Sequence, residues 1–264
     1  MIKLIGIPYD GNSSFLKGTS MAPDRIRLMD KEGSANRFSE SGIEVIAGKN
    51  YEDMGDINFT TTNPEQAFNS IKESIATQLA GNYKVLSLGG DHSVTWPIVD
   101  AYTEKFSNLN ILHLDAHADL YENFDNNPYS HASPMARILE TGKIASITQV
   151  GIRTLNSHQR EQAKKYKVNM IEMKNFTIDF ITGLKGPLYI SLDIDVLDPA
   201  FAPGISHHEP GGLSTRQLLQ IIQSINVEIA GADIVEYNPF RDVNNMTAMV
   251  AYKLLKELIA KMIE

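Results

Sequence analysis

Acidic and histidine residues are concentrated in three short segments of this chain. They are residues 115–119 (Asp-Ala-His-Ala-Asp), 193–195 (Asp-Ile-Asp) and 89–93 (Gly-Gly-Asp-His-Ser). In an extended backbone, residues i, i+2 and i+4 face the same side, so the polar side chains of each segment can converge. Carboxylates gathered out of water repel one another and lose hydration, so a fold that assembles them needs compensating cations. The three segments therefore predict a metal site.

The number and type of these donors favour two ions. Six carboxylate or imidazole donors exceed the three or four protein ligands of a single zinc ion, and carboxylates can bridge two metals. The chain has no cysteine, and oxygen-rich coordination with two histidines favours Mn²⁺. Taken singly, an Asp-X-Asp is more often a turn and a Gly-Gly-Asp-His a helix cap, but three such segments together favour the metal site. The predicted ligands are His92, Asp115, His117, Asp119, Asp193 and Asp195.

The elements that must position these residues alternate along the chain. Short apolar runs predict strands, and longer amphipathic segments predict helices. The predicted strands are 2–7, 43–46, 83–88, 109–114, 145–150, 187–192 and 228–234. The predicted helices are 23–31, 64–80, 94–106, 134–141, 157–166, 214–226 and 247–263. This βαβ order predicts a three-layer α/β fold with a mostly parallel sheet.

Long loops leave three of the predicted strands, after residues 88, 114 and 192. Ligands of open parallel sheets bind beyond the carboxyl ends of the strands, so we expect these loops to meet at one crevice. All three acidic or histidine segments lie there. No linker or repeat divides the sequence, and we expect one domain spanning 1–264.

Charge and hydropathy narrow the class of protein. The chain has 24 Lys and Arg against 32 Asp and Glu, a net charge of -8, which argues against a nucleic-acid or anionic-membrane binder and weakly suits a cationic substrate. The chain starts with a strand-like segment rather than a targeting pattern, and no apolar run is long enough to cross a bilayer. These features predict a cytoplasmic protein.

The remaining histidines receive weaker interpretations. His113 lies inside an apolar run on the same side as Asp115, and we expect it to support a metal ligand through a hydrogen bond. His158 lies on a polar helix and is expected at the surface. His207 and His208 follow the Asp193 strand and could line an entrance, although a purely structural role is the favoured interpretation.

With these motifs in order, the chain resembles the ureohydrolase family, the arginases and agmatinases. The family's Gly-Gly-Asp-His, Asp-Ala-His-X-Asp and Ser-X-Asp-X-Asp motifs match residues 89–93, 115–119 and 191–195. Within the family the chain is similar to the plant-type arginase branch over nearly its full length. The stretches that carry this similarity are 12–16, 129–133, 198–204, 208–214 and 246–251.

The resemblance implies an eight-stranded parallel sheet and a binuclear manganese centre that hydrolyses a guanidinium group to urea and an amine. It implies that His92 and Asp119 ligate one ion, that His117 and Asp195 ligate the other, and that Asp115 and Asp193 bridge them. Asp119 would also handle a proton of the attacking hydroxide. The chain would assemble as a homotrimer or homohexamer.

Two further residues acquire roles through the resemblance. Glu236 matches the family's glutamate that binds the substrate guanidinium, and a carboxylate suits that forked, planar cation. His131 matches the family's proton-shuttling histidine, which contacts the substrate and delivers a proton to the leaving amine. A surface glutamate and a structural loop histidine are the alternatives.

Substrate identity stays open between arginine, agmatine and another guanidino compound. The animal arginase pattern has an asparagine where this chain has Tyr121, and an acidic residue where it has Thr154. The plant-type resemblance favours L-arginine, with Asn12, Tyr129 and Ser130 as speculative contacts. A metal-stabilised binding protein without turnover is the alternative from another functional class.

Overall fold

The computed structural model describes residues 1–33 and 35–264, and one sheet of eight strands organises them. Every neighbouring pair of strands runs parallel. Across the sheet the order is β2-β1-β3-β8-β7-β4-β5-β6. The strands are β1 (Ile2–Gly6), β2 (Tyr51–Asp56), β3 (Lys84–Leu88), β4 (Asn110–Leu114), β5 (Ser146–Ile152), β6 (Asn169–Glu172), β7 (Leu188–Asp193) and β8 (Ile229–Val235).

Helices cover both faces of this sheet, which confirms the predicted three-layer α/β fold. The helices are α1 (Ala22–Lys31), α2 (Pro64–Ala80), α3 (Thr95–Lys105), α4 (Pro134–Glu140), α5 (Ser157–Lys165), α6 (Thr215–Ser224) and α7 (Met246–Ile263). One apolar core packs α1, α6 and α7 against the sheet, and a second packs α2, α3 and α4. Along β3, Leu86 and Leu88 enter the first core and Val85 the second, as the alternation of a strand requires.

Local capping explains where two of the predicted helices begin. The Asn63 side chain accepts a hydrogen bond from the Gln66 N–H at the start of α2, where Pro64 lacks an N–H to satisfy. At α6, Ser214 and Gln217 form a reciprocal capping box. None of the helices within residues 1–33 and 35–264 is long and apolar enough to span a bilayer.

The two edge strands differ from the sequence prediction. Residues 43–46 were expected to form a strand, and that expectation is wrong, since Glu44 makes only an isolated bridge with Phe38. β2 and β6 were not predicted. β2 carries three acidic residues and is mostly exposed, and β6 has only four residues, none of them buried. Edge strands border solvent and need no continuous apolar run, so hydropathy does not reveal them.

The four central strands position the candidate site. β3, β8, β7 and β4 are consecutive neighbours, and their carboxyl ends lie at one edge of the sheet. The His92 turn follows β3, Glu236 follows β8, Asp193 ends β7, and residues 115–119 follow β4. The predicted convergence of the loops after residues 88, 114 and 192 therefore occurs, and a fourth strand end joins them.

Candidate active site

A cluster of carboxylates and imidazoles forms at these strand ends, buried except for the partly exposed His117, and we call it the acidic floor. His92 Nδ1 lies 3.0 Å from carboxylate oxygens of both Asp115 and Asp119, and 3.3 Å from one of Asp193. His117 Nδ1 lies 2.9 Å from Asp195 and 3.4 Å from Asp115. All six predicted ligands therefore meet in one place, His92, Asp115, His117, Asp119, Asp193 and Asp195.

The His92 ring shows where positive charge is needed. Ser191 Oγ donates to Asp233 at 2.9 Å, so the hydrogen bond of 3.0 Å between Ser191 and His92 Nε2 has the ring as donor. This arrangement leaves a lone pair on Nδ1, which is buried and has no hydrogen-bond partner among the described residues. A lone pair facing several carboxylate oxygens is stable only with a cation between them. The donor set fits a metal ion.

The pKa directions agree with that requirement. Burial lowers the pKa of His92, but the carboxylates of Asp115, Asp119 and Asp193 raise it well above its usual value. Burial raises the pKa of Asp193 well above its ordinary range, and the charges of Asp195 and Asp115 add to the effect. Without a metal the cluster would bind protons instead, because so many buried negative charges cannot coexist uncompensated.

A second chain of hydrogen bonds holds Asp115. His113 Nε2 lies 2.7 Å from Asp115 Oδ2, and His113 Nδ1 lies 2.9 Å from the amide nitrogen of Gln149. Since that amide nitrogen can only donate, the ring proton is on Nε2 and points at the carboxylate. Gln149 also donates to the Ala118 carbonyl at 2.6 Å. His113 thus contacts the acidic floor as expected, while Gln149 was not singled out in the sequence.

Glu236 and Asp119 both have left-handed backbone conformations, with φ of 64° and 52°. Non-glycine residues seldom adopt this conformation; it occurs in turns such as that at Lys167, and also where surrounding structure holds a side chain of a functional site in place. Glu236 Oε1 accepts hydrogen bonds from the His92 N–H at 2.9 Å and from His131 Nδ1 at 2.7 Å. Its other carboxylate oxygen has no hydrogen bond to a described residue, which leaves it available to a ligand.

His131 lies between two opposing influences. Burial lowers its pKa, but the neighbouring Glu236 carboxylate raises it to about 9. The Ser14 N–H donates to His131 Nε2 at 3.1 Å, which requires a lone pair on that nitrogen and so a neutral ring. Glu236 favours the protonated ring and Ser14 the neutral one. A histidine balanced in this way is suited to take up and release a proton.

These groups open into a cavity of about 360 Å³. Its lining residues are Ser14, His92, His117, Asp119, Tyr121, Phe124, His131, Ala132, Thr154, Leu155, Asn156, Gln159, Asp193, His207 and Glu236. The outer part, which we call the mouth, consists of Tyr121, Phe124, Thr154, Asn156 and His207. Among the speculative contacts, Tyr129 packs against Phe68 and Trp96 outside this lining, and neither Asn12 nor Ser130 belongs to it.

The mouth contains residues that the sequence interpretation undervalued. His207, favoured as purely structural, lies in the lining with its ring 5.7 Å from that of His117 and 5.5 Å from that of His131. Burial lowers its pKa, and the nearby His131 adds to this effect. Asn156 was also missed, although it caps α5 and donates to the Tyr121 hydroxyl at 2.7 Å. In the sequence, the possible entrance position of His207 was the only feature that pointed to any of these mouth residues.

Comparison with known proteins agrees with this geometry. The model of the arginase family matches residues 1–260. Arginase 1, mitochondrial, of Arabidopsis thaliana is 45% identical over 98% of this chain and 80% of its own. The chain belongs to the arginase family. It is therefore a hydrolase of guanidino compounds, as the resemblance implied.

Two further relatives mark the range of the similarity. The solved arginase from Medicago truncatula superposes with a TM-score of 0.93 at 42% identity, covering 99% of this chain and 87% of that one. The agmatinase of Bacillus cereus is 32% identical over 98% of this chain and 90% of its own. The resemblance to plant-type arginase is confirmed, with agmatinases more distant.

The prediction of a cytoplasmic protein is wrong. Arginase 1 of Arabidopsis thaliana is named as mitochondrial, and Arginase 2 of the same plant as chloroplastic/mitochondrial. Net charge and hydropathy report on solubility and association rather than on cellular compartment, so they could not support that prediction.

Proposed function

We propose that this protein hydrolyses the guanidinium group of L-arginine to urea and ornithine with two Mn²⁺ ions bound. The observation that carries the proposal is that the acidic floor and the Glu236 carboxylate line the same cavity. Membership of the arginase family and the similarity to plant arginases support arginine as the substrate. The preference of manganese for oxygen and imidazole donors supports the choice of metal.

The assignment of ligands follows the distances within the acidic floor. His92 and Asp119 would hold one ion, and His117 and Asp195 the other. Asp115 has one carboxylate oxygen near His92 and the other near His117, as a bridging ligand would, and Asp193 would be the second bridge. When bound, such a pair of ions lowers the pKa of water and so supplies a nucleophile near neutral pH.

Glu236 would bind and orient the substrate. Its hydrogen bonds to His92 and His131 use one carboxylate oxygen, and the other would pair with a guanidinium N–H. Binding there would place the planar guanidinium carbon over the acidic floor. Asp119, whose backbone is fixed in an unusual conformation beside His92, would accept a proton as the tetrahedral intermediate forms.

His131 would supply the proton that the departing amine requires. Carbon–nitrogen cleavage gives a strongly basic amine, so its nitrogen must be protonated as the bond breaks. Glu236 would thus act twice, since it binds the guanidinium and also raises the proton affinity of His131.

Urea release from arginine, agmatine, guanidinobutyrate and guanidinopropionate in the presence of Mn²⁺ tests this proposal. We expect the highest kcat/KM with L-arginine. Activity restricted to agmatine would replace arginase with agmatinase, the alternative that the Bacillus cereus relative represents. Binding of Mn²⁺ and arginine without urea release from any of the four compounds would indicate a binding protein instead.

The chain is also proposed to form a homotrimer or homohexamer. The support for this assembly is membership of the arginase family, and light scattering coupled to size-exclusion chromatography tests it. A mass of one subunit, 29.3 kDa, would contradict it.

A further inference from the structure

A segment after β1 links the turn that bears His92 to the loop that bears His131. The backbone N–H of Asn12 donates to Asp91 Oδ2 at 2.9 Å, and its side-chain amide donates to Ser93 Oγ at 3.2 Å. The His131 N–H in turn donates to the Asn12 carbonyl at 3.3 Å. Asn12 and Asp91 are buried. The segment is therefore fastened both to the turn that bears His92 and to the loop that bears His131, which fixes the position of Ser14.

Ser14 occupies the side of the His131 ring that could face a substrate. His131 Nε2 receives the Ser14 N–H at 3.1 Å and lies 2.8 Å from Ser14 Oγ. The other ring nitrogen is bonded to Glu236. Both nitrogens are thus engaged, while Ser14 itself is exposed and lines the cavity. A proton on Nε2 therefore meets Ser14 Oγ before it meets anything bound in the cavity.

We infer that the Ser14 hydroxyl is the proton link between His131 and the leaving amine, an inference that rests on the proposed function. In this step the Nε2–H bond of the protonated ring breaks as Ser14 Oγ gains that proton. The original hydroxyl proton of Ser14 passes to the amine nitrogen, whose bond to the guanidinium carbon breaks. The ring ends neutral, the serine is unchanged, and the amine leaves protonated.

The same path returns a proton afterwards. Ser14 is exposed, so water can protonate its oxygen while the hydroxyl proton moves back to Nε2. The backbone N–H of Ser14 stabilises the neutral ring in the meantime, because it donates to the vacated lone pair. Ser14 thus acts at the reacting atoms and is a catalytic residue in this scheme.

The Ser14→Ala variant tests the inference, because it removes the hydroxyl and keeps the backbone N–H. We expect kcat for arginine to fall by about a hundredfold, the lower end of what general acid–base catalysis contributes, while KM and bound Mn²⁺ stay unchanged. Added imidazole, a small proton donor, should restore part of the lost kcat. Ser14→Thr, which keeps a hydroxyl, is the matched control and should retain most of the activity.

Other outcomes would overturn the inference. A wild-type kcat in Ser14→Ala would show that the hydroxyl carries no proton. A loss of kcat that imidazole does not restore, or a loss accompanied by a lower Tm, would indicate a structural role for Ser14 instead. In a His131→Asn background, Ser14→Ala should cause no further loss, because the two residues act in one path. Full activity of His131→Asn alone would instead refute the role of His131 in the proposed function, which separates the two failures.

Discussion

The acidic floor and the mouth of the cavity are built on different principles. The floor lies at the ends of adjacent central strands, and His92, Asp115 and Asp193 are each at most 2% exposed. The mouth consists of loop residues, including the Asn156 cap of α5, and all of them are partly or fully exposed. A strand end fixes where a side chain points, whereas a loop does not. The residues of the floor therefore indicate the type of reaction, whereas the residues of the mouth, which would discriminate between substrates, are harder to interpret from sequence.

Asp193→Ala should have the largest effect, because it removes a proposed bridge from the floor. We expect activity to fall on the order of a thousandfold or more, equivalent to losing several kcal/mol of metal-derived stabilisation. Metal analysis should show loss of Mn²⁺. In chelator the variant should melt no lower than the wild type, because one of the mutually repelling buried carboxylates has gone.

A matched control for that experiment is Asp179→Ala, which removes an exposed carboxylate from a 3₁₀ turn outside the cavity. It should keep full activity and metal content. A fully active Asp193→Ala enzyme with both ions bound would remove Asp193 from the ligand set.

The floor was predictable from sequence because its residues have a fixed spacing on strand ends. Asp115, His117 and Asp119 alternate in the sequence, as do Asp193 and Asp195, and this spacing predicted that their side chains converge. They do converge, but not through a continuous extended backbone, since Asp119 has a left-handed φ of 52° and Asp195 lies in a 3₁₀ turn, Ile194–Val196. Glu236 and His131 were different, since their roles came from a family resemblance rather than from spacing. The left-handed backbone at Glu236 and Asp119 could not be foreseen, because no glycine or turn motif marks those positions.

The strands of the sheet differ in the same way, since the central strands could be predicted from sequence and the edge strands could not. The central strands were found because both of their faces are buried, which requires apolar runs. β2 and β6 were missed because their side chains border solvent, and the apolar run at 43–46 contributes Val45 to a core without joining the sheet. Contacts such as Gln149 with His113 depend on strand order, which hydropathy does not report.

Glu236→Gln should impair substrate binding while leaving metal binding by the acidic floor intact. The variant keeps the shape of the side chain but loses the charge that pairs with a guanidinium, so kcat/KM for arginine should fall about a hundredfold, with part of the loss in KM. Bound Mn²⁺ should stay near wild type. Glu161→Gln, an exposed position on α5, is the control. Loss of both ions in Glu236→Gln would place Glu236 among the metal ligands.

Gln149→Leu should weaken metal binding by the acidic floor, although Gln149 is not itself a proposed ligand. Without the amide, His113 Nδ1 loses its donor, and the proton that His113 directs at Asp115 is no longer fixed on Nε2. Such supporting hydrogen bonds contribute about ten- to a hundredfold to metal affinity. Competition with a chelator should therefore show weaker Mn²⁺ binding, with kcat little changed at saturating metal.

The neighbouring Thr148→Val is the matched control for Gln149→Leu. Thr148 lies next to Gln149 on β5, and the alternation of the strand directs its side chain to the opposite face of the sheet. Equal Mn²⁺ affinities in the two variants would show that Gln149 does not act on the floor.

Tyr121→Phe should have the smallest effect, confined to the mouth. Its hydroxyl accepts a hydrogen bond from Asn156, and its ring stacks on His158 at 5.7 Å. Loss of one exposed hydrogen bond is worth about 1 kcal/mol, so KM for arginine should rise a few-fold while kcat and bound Mn²⁺ stay constant. Agmatine lacks the carboxylate that a hydroxyl could contact, so its KM should not change. Equal changes in KM for arginine and agmatine would mean that Tyr121 shapes the cavity but does not contact the carboxylate that distinguishes the two substrates.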